Sequence, residues 1–147
     1  MRFYDDLEVG HGFETRRKTI TETAITLCVG LAGMTVPIFN DVESARATGA
    51  AGFIAPARTV LMMMGGLEEQ AFEWEPATRL VGFRAVKFLR PVMAGDTIHV
   101  MMEIVEKRES RTGGRGIVVH RSTCLNQGGE AVVECEVVHL VAKQAAC

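Results

Sequence analysis

The side chains readiest to move a proton near neutral pH are few and scattered in this chain of 147 residues. Four histidines, His11, His99, His120 and His139, are the readiest acid–base groups near neutral pH. His11 lies between Gly10 and Gly12 in a polar turn, which predicts a solvated ring. The other three fall in strand-like runs, as surface or sheet-lining groups, or with one of them reaching a pocket. They are too far apart in sequence to suggest a metal site. The four cysteines, Cys28, Cys124, Cys135 and Cys147, show no C-x-x-C spacing, so free thiols are expected. Cys28 sits between Leu27 and Val29 as a small hydrophobe with no adjacent base to activate it. No Walker-type or G-x-G-x-x-G loop is present to hold a nucleotide.

The charge balance narrows the classes further. Sixteen basic against eighteen acidic residues leave a net charge of -2, without the basic stripe of a nucleic-acid binder. No apolar run approaches the ~18–20 residues of a membrane span. The opening Met1-Arg2-Phe3-Tyr4-Asp5-Asp6 has no apolar leader core, so a cytoplasmic location is expected. Residues 1–147 read as one domain, large enough to bury a core without staples.

The elements that must position any site follow from periodicity. Gly12 to Thr19 is a short polar strand-like run. Ile25, Cys28, Val29 and Ala32 recur at helical spacing, predicting a helix over about Glu22–Gly33. Thr19 with Glu22 fits a capping box, and Thr21 is an alternative N-cap. A long connection from Met34 to Pro56 has room for a short helix near Val42–Ala47. Ala57 to about Phe72 predicts a second long helix. Its apolar stripe is Val60, Leu61, Met64 and Leu67, and its wet end is Glu68-Glu69-Gln70. After Pro76 come four valine- and isoleucine-rich runs, Leu80–Leu89, Thr97–Lys107, Gly116–Leu125 and Ala131–Val141. Short glycine-bearing separators predict that successive runs pair antiparallel as a meander. A sheet with helices on one face is an α+β domain.

Several ordered strings then carry a resemblance. They are Phe3-Tyr4-Asp5-Asp6-Leu7-Glu8-Val9-Gly10, Thr19-Ile20-Thr21-Glu22, and Gly52-Phe53-Ile54-Ala55-Pro56. Val86-Lys87-Phe88-Leu89-Arg90-Pro91-Val92 with Gly95-Asp96-Thr97 is the most distinctive, and Gly114-Arg115-Gly116 and Asn126-Gln127 with Gly129-Glu130 follow. Together they resemble the MaoC-like (R)-specific enoyl-CoA hydratases and dehydratases of the hot-dog fold. The resemblance implies an antiparallel β-sheet wrapped around a central α-helix, paired into a homodimer or with another hot-dog chain. It also implies an acyl-CoA or acyl-carrier-protein thioester as ligand, no permanently bound cofactor, lyase chemistry and a setting in fatty acid metabolism. In the family an aspartate and a histidine on a G-D-x-N-P-x-H-x-D segment transfer the protons, and an amide at the start of the second helix polarises the thioester carbonyl.

This chain departs from the family at that segment, which here reads Gly33-Met34-Thr35-Val36-Pro37-Ile38-Phe39-Asn40-Asp41. Met34 stands at the aspartate position and Phe39 at the histidine position, and neither side chain can take or give a proton. Ala57 replaces the usual glycine of the second helix but keeps its N–H, and Arg58 follows in place of an apolar residue. By resemblance the substrate-binding set is Met34, Pro37, Phe39, Asp41, Pro56, Ala57 and Arg58. Asp41 is a candidate acid or base, with a helix cap as its other reading. Arg84, Lys87, Arg90 and Arg115 are candidates for coenzyme A phosphates or are solvated strand-edge groups. Three functional readings remain open: a non-catalytic or divergent member, such as the inactive subunit of a hydratase; an altered lyase, isomerase or thioesterase using Asp41 or a strand histidine; or ordinary hydration of an enoyl thioester with the acid and base drawn from elsewhere.

Overall fold

Alternating valine, isoleucine and methionine along the second half of the chain build a sheet whose inner face needs a cover. The longest helix supplies it. The computed structural model describes residues 1–111 and 113–144, so Thr112, between the second and third of the strand runs, and the Cys147 thiol lie outside the described residues. A 3-10 turn at Tyr4–Asp6 precedes strands β1 (Gly12–Glu14) and β2 (Lys18–Thr19) and helices α1 (Glu22–Leu31), α2 (Pro37–Asn40) and α3 (Val42–Ala47). The helix α4 (Ala57–Phe72) leads into β3 (Arg79–Phe88), β4 (Thr97–Glu109), β5 (Arg115–Leu125) and β6 (Ala131–Ala142).

On β4, Ile98, Val100, Met102 and Ile104 are buried and alternate with the exposed Met101 and Glu103, the period of a half-buried strand. They pack beneath Val60, Met63, Met64, Leu67 and Phe72 of α4, in one core with Val118, Cys124, Val133, Cys135 and Val137. Truncating any one of the larger members to alanine costs about 2–5 kcal/mol. The solvent face instead carries a row of alternating charges, Arg84 opposite Glu136, Glu136 opposite Arg121 and Arg121 opposite Glu103.

Two expectations need correction. The sheet order is β1-β4-β5-β6-β3, so β3 pairs with β6 at the far edge rather than with its sequence neighbour β4. The reason lies in the 89–96 connection. Leu89 N–H donates to Val132 O, and Pro91 then has no N–H to continue a ladder. The chain crosses beneath residues 53–55, where Ala55 N–H donates to Val92 O and Ala94 N–H to Phe53 O. It turns at Gly95 (φ 96°), and the Asp96 carboxylate accepts from Met93 N–H at 2.8 Å. Second, the polar run 12–19 is two short strands rather than one, both paired with β4. Of the two caps open for α1, Thr21 is the one that forms: its hydroxyl accepts from Ala24 N–H at 3.1 Å, while Thr19 bonds to Thr97 within the sheet. A short helix at Pro37–Asn40, with proline at its favourable start, was not expected from periodicity.

Candidate functional site

Where the long connection returns to the sheet, a cleft of about 320 Å³ opens beside the N-terminus of α4. Phe39 of α2, Ala57 and Val60 of α4, Phe88 at the end of β3 and Val133 of β6 line it. Arg90 is its one charged lining residue among the described residues, held by Ala131 O at 3.2 Å and Glu130 Oε1 at 3.3 Å. The backbone N–H groups of an α-helix's first turn have no acceptor within the helix. Pro56 is the N-cap of α4 and supplies no side-chain hydrogen bond, so the Ala57 end of α4 presents partial positive charge to the cleft. A carbonyl oxygen placed there would be polarised.

The segment from Gly33 to Asp41 is fixed by its own polar groups. Gly33 adopts φ 63°, a conformation glycine takes without steric cost. The Asn40 amide donates to the carbonyls of both Met34 and Val36, each at 3.0 Å. These bonds hold Phe39 against the cleft while half-buried Met34 packs on the core. Asp41 is the N-cap of α3. Its carboxylate accepts from Ser44 Oγ at 2.6 Å and from Glu43 N–H at 2.9 Å. The Ser44 hydroxyl and then the Glu43 amide hold the Asp41 carboxyl below its ordinary range. An acid so held is a weak proton acceptor, because its charged form is the stabilised one.

Of the seven residues assigned by resemblance, Phe39 and Ala57 line the cleft. Met34, Pro37, Asp41, Pro56 and Arg58 do not, and Pro37, Asp41 and Arg58 are exposed. Of the four basic candidates, Arg90 alone borders it, while Arg84 pairs with Glu106 at 2.8 Å. No histidine borders it either. His11 is exposed, and buried His99 has its Nε2 3.7 Å from Glu14 Oε1.

The remaining two histidines, buried His120 and half-buried His139, form a polar cluster whose pairing sequence reasoning missed, although a strand histidine reaching a cavity was expected and His139 does so. His120 and His139 stack with centroids 5.3 Å apart, flanked by Phe72 and Trp74. Burial, and then the neighbouring His139, push the His120 imidazole down to about 3, and burial pushes His139 to about 4. His120 Nδ1 lies 3.0 Å from Ser122 Oγ. Glu68, expected at the wet end of its helix, is only 6% exposed. Burial raises its carboxyl, with a hydrogen bond to Ser122 opposing the shift. The signal was in the spacing. Glu68 follows Met64 by four residues and so shares its inward face. Cys124 and Cys135 lie in the same region with thiols pushed by burial up to about 12, which leaves them unreactive. No group of three or more His, Cys, Asp or Glu side chains among the described residues is arranged to hold a metal ion. No helix among them is long and apolar enough to cross a membrane.

This architecture matches proteins of known structure. The sequence matches the FAS1-like, dehydratase domain region family over residues 8–135. A monoamine oxidase regulatory protein from Archaeoglobus fulgidus is 30% identical, with TM-score 0.89 over 97% of this chain and 95% of that one. The R-hydratase of Pseudomonas aeruginosa, solved without ligand, is 28% identical, with TM-score 0.77 over 97% and 86%. A MaoC-like dehydratase from Rhodospirillum rubrum shares the fold at 24% identity, with TM-score 0.89 over 99% and 100%. No curated protein sequence matches the chain. The chain therefore belongs to the FAS1-like, dehydratase domain region family, and its sheet wrapped on α4 is the hot-dog fold shared with the MaoC-like dehydratase.

Proposed function

We propose that this protein keeps an acyl-thioester site of the MaoC-like type but does not hydrate, and serves in the cytoplasm as a non-catalytic or divergent subunit beside an active hot-dog chain. The composition of the cleft carries the reading. It offers a helix N-terminus for a carbonyl oxygen and Arg90 for a phosphate, between apolar walls, with Phe39 where the family's histidine would stand. Water is too weak a nucleophile to add to a conjugated thioester unless a base within hydrogen-bond reach takes its proton. Met34 and Phe39 are no such base. Altered chemistry through Asp41 has less support, since that carboxylate is exposed and engaged in capping α3. Likeness to an R-hydratase favours a site shaped for thioesters of that reaction class.

The test has two arms. Purified protein should bind crotonyl-CoA yet form no 3-hydroxybutyryl-CoA above the uncatalysed rate. Phe39→His, which puts a proton acceptor on the wall of the cleft, should introduce measurable hydration. Turnover by the unaltered chain at an ordinary enzymatic rate would overturn the reading.

A further inference from the structure

Beyond the cleft lies a second cavity of about 70 Å³, room for roughly two water-sized groups. The same three elements wall both spaces in succession. On α4, Ala57 and Val60 border the first, and Leu61, Met64 and Glu68 border the second, all on one helical face. On β6, Val133 borders the first, and Cys135, Val137 and His139 border the second, every other residue of one strand. On β3, Phe88 gives way to Phe83 and Leu80. The two spaces thus lie in line along α4, and eleven residues of helix rise from Ala57 to Glu68, roughly 16 Å.

The walls are apolar until the far end, where the exposed Glu69 also borders the space. There Glu68 Oε1 and His139 Nδ1 are both buried without a hydrogen-bond partner. Buried polar atoms in native proteins are nearly always paired, so two open ones on one small cavity mark a place where a polar group is received. Burial favours the uncharged form of each, which suits a neutral group better than an ion.

We infer that Glu68 and His139 select the remote end of the acyl chain, so that the ligand class is a thioester whose chain carries a hydroxyl or oxo group at the end far from the sulfur. The inference rests on the acyl-thioester reading above. Hydrocarbon lies along Val60, Leu61 and Met64, and the terminal oxygen exchanges hydrogen bonds with the carboxyl and the imidazole. A site built this way rejects the plain chain, because its own buried polar atoms are then left unpaired.

Trp74, the only tryptophan of the sequence, borders the second cavity with its ring centroid 4.8 Å from that of His139. Its fluorescence therefore reports occupancy. Saturated acyl-CoA thioesters of increasing length would be titrated, each as the plain and the terminally hydroxylated chain. Once the chain reaches Glu68, the hydroxylated member should bind about tenfold or more tightly than the plain one. Glu68→Leu with His139→Leu should abolish or invert that preference and leave short plain chains binding as before, which also shows that the variant is folded. Glu68→Gln, which keeps a polar end, should retain the preference. Equal binding of plain and hydroxylated chains at every length would overturn this inference alone. Failure of every thioester to bind would overturn the thioester reading and this inference with it.

Discussion

Two stacked imidazoles in an apolar core tie this protein's stability to pH. His120 and His139 ionise at about 3 and about 4 in the fold, against an ordinary 6.5 in the unfolded chain. Below 6.5 the unfolded state takes up protons that the folded state refuses, so stability falls as the pH is lowered. The contribution is fully present above 6.5 and is lost progressively down to the folded values. Glu68 acts in the opposite direction. Its raised carboxyl favours the fold at low pH, and that part is lost as pH rises through the folded value. Two imidazoles outweigh one carboxyl, so the urea midpoint should drop steeply between about pH 6.5 and 4. Replacing both histidines by phenylalanine should flatten that drop, and an unchanged slope would show that other groups control it.

Two backbone positions show how the elements meet. Glu73 ends α4 at φ 50°, where a side chain is strained and glycine is at ease. Glu73→Gly should therefore stabilise the protein by about 1 kcal/mol, read as a higher urea midpoint, despite the loss of an exposed pair with the N-terminal amine. Gly116 at the start of β5 has the opposite requirement. A Cβ there would overlap the ring of Tyr4, which closes that end of the core. Gly116→Ala should cost about 1–3 kcal/mol, because the ring must move out of a packed position. A neutral result in thermal unfolding would mean that the N-terminal turn yields easily.

For the whole molecule the open question is the edge at β3. This strand ends the sheet, and it exposes Leu80 (54%), Val81 (58%) and Phe83 (44%) beside its unpaired backbone. A long apolar edge of this kind invites pairing with another chain. Sedimentation should give twice the chain mass of 16.0 kDa, or a mixed dimer when an active hot-dog partner is present. Val81→Lys with Phe83→Glu should release monomers. A wild-type monomer at micromolar concentration would exclude the edge as an interface.

Much of this was legible in the residues themselves. Val42–Ala47 and Ala57–Phe72 form helices at the expected bounds, because cap residues and helical spacing are local properties. The motif strings also have local work to do. The Asn126 side-chain Oδ1 accepts from the amides of Gly128 and Glu130 to shape a turn, and the Gln127 side chain joins Asp96 to Thr97 across the sheet end. The substitution of Met34 and Phe39 for proton-carrying groups was likewise plain from sequence. Strand partners were not, since the choice of β6 over β4 for β3 depends on a crossing pinned by residues 53–55, forty positions away. Nor was the cavity ending on Glu68 and His139. Sequence determined which residues exist and which helical face each occupies, but only the tertiary fold decided which of those faces meet and leave polar atoms without partners.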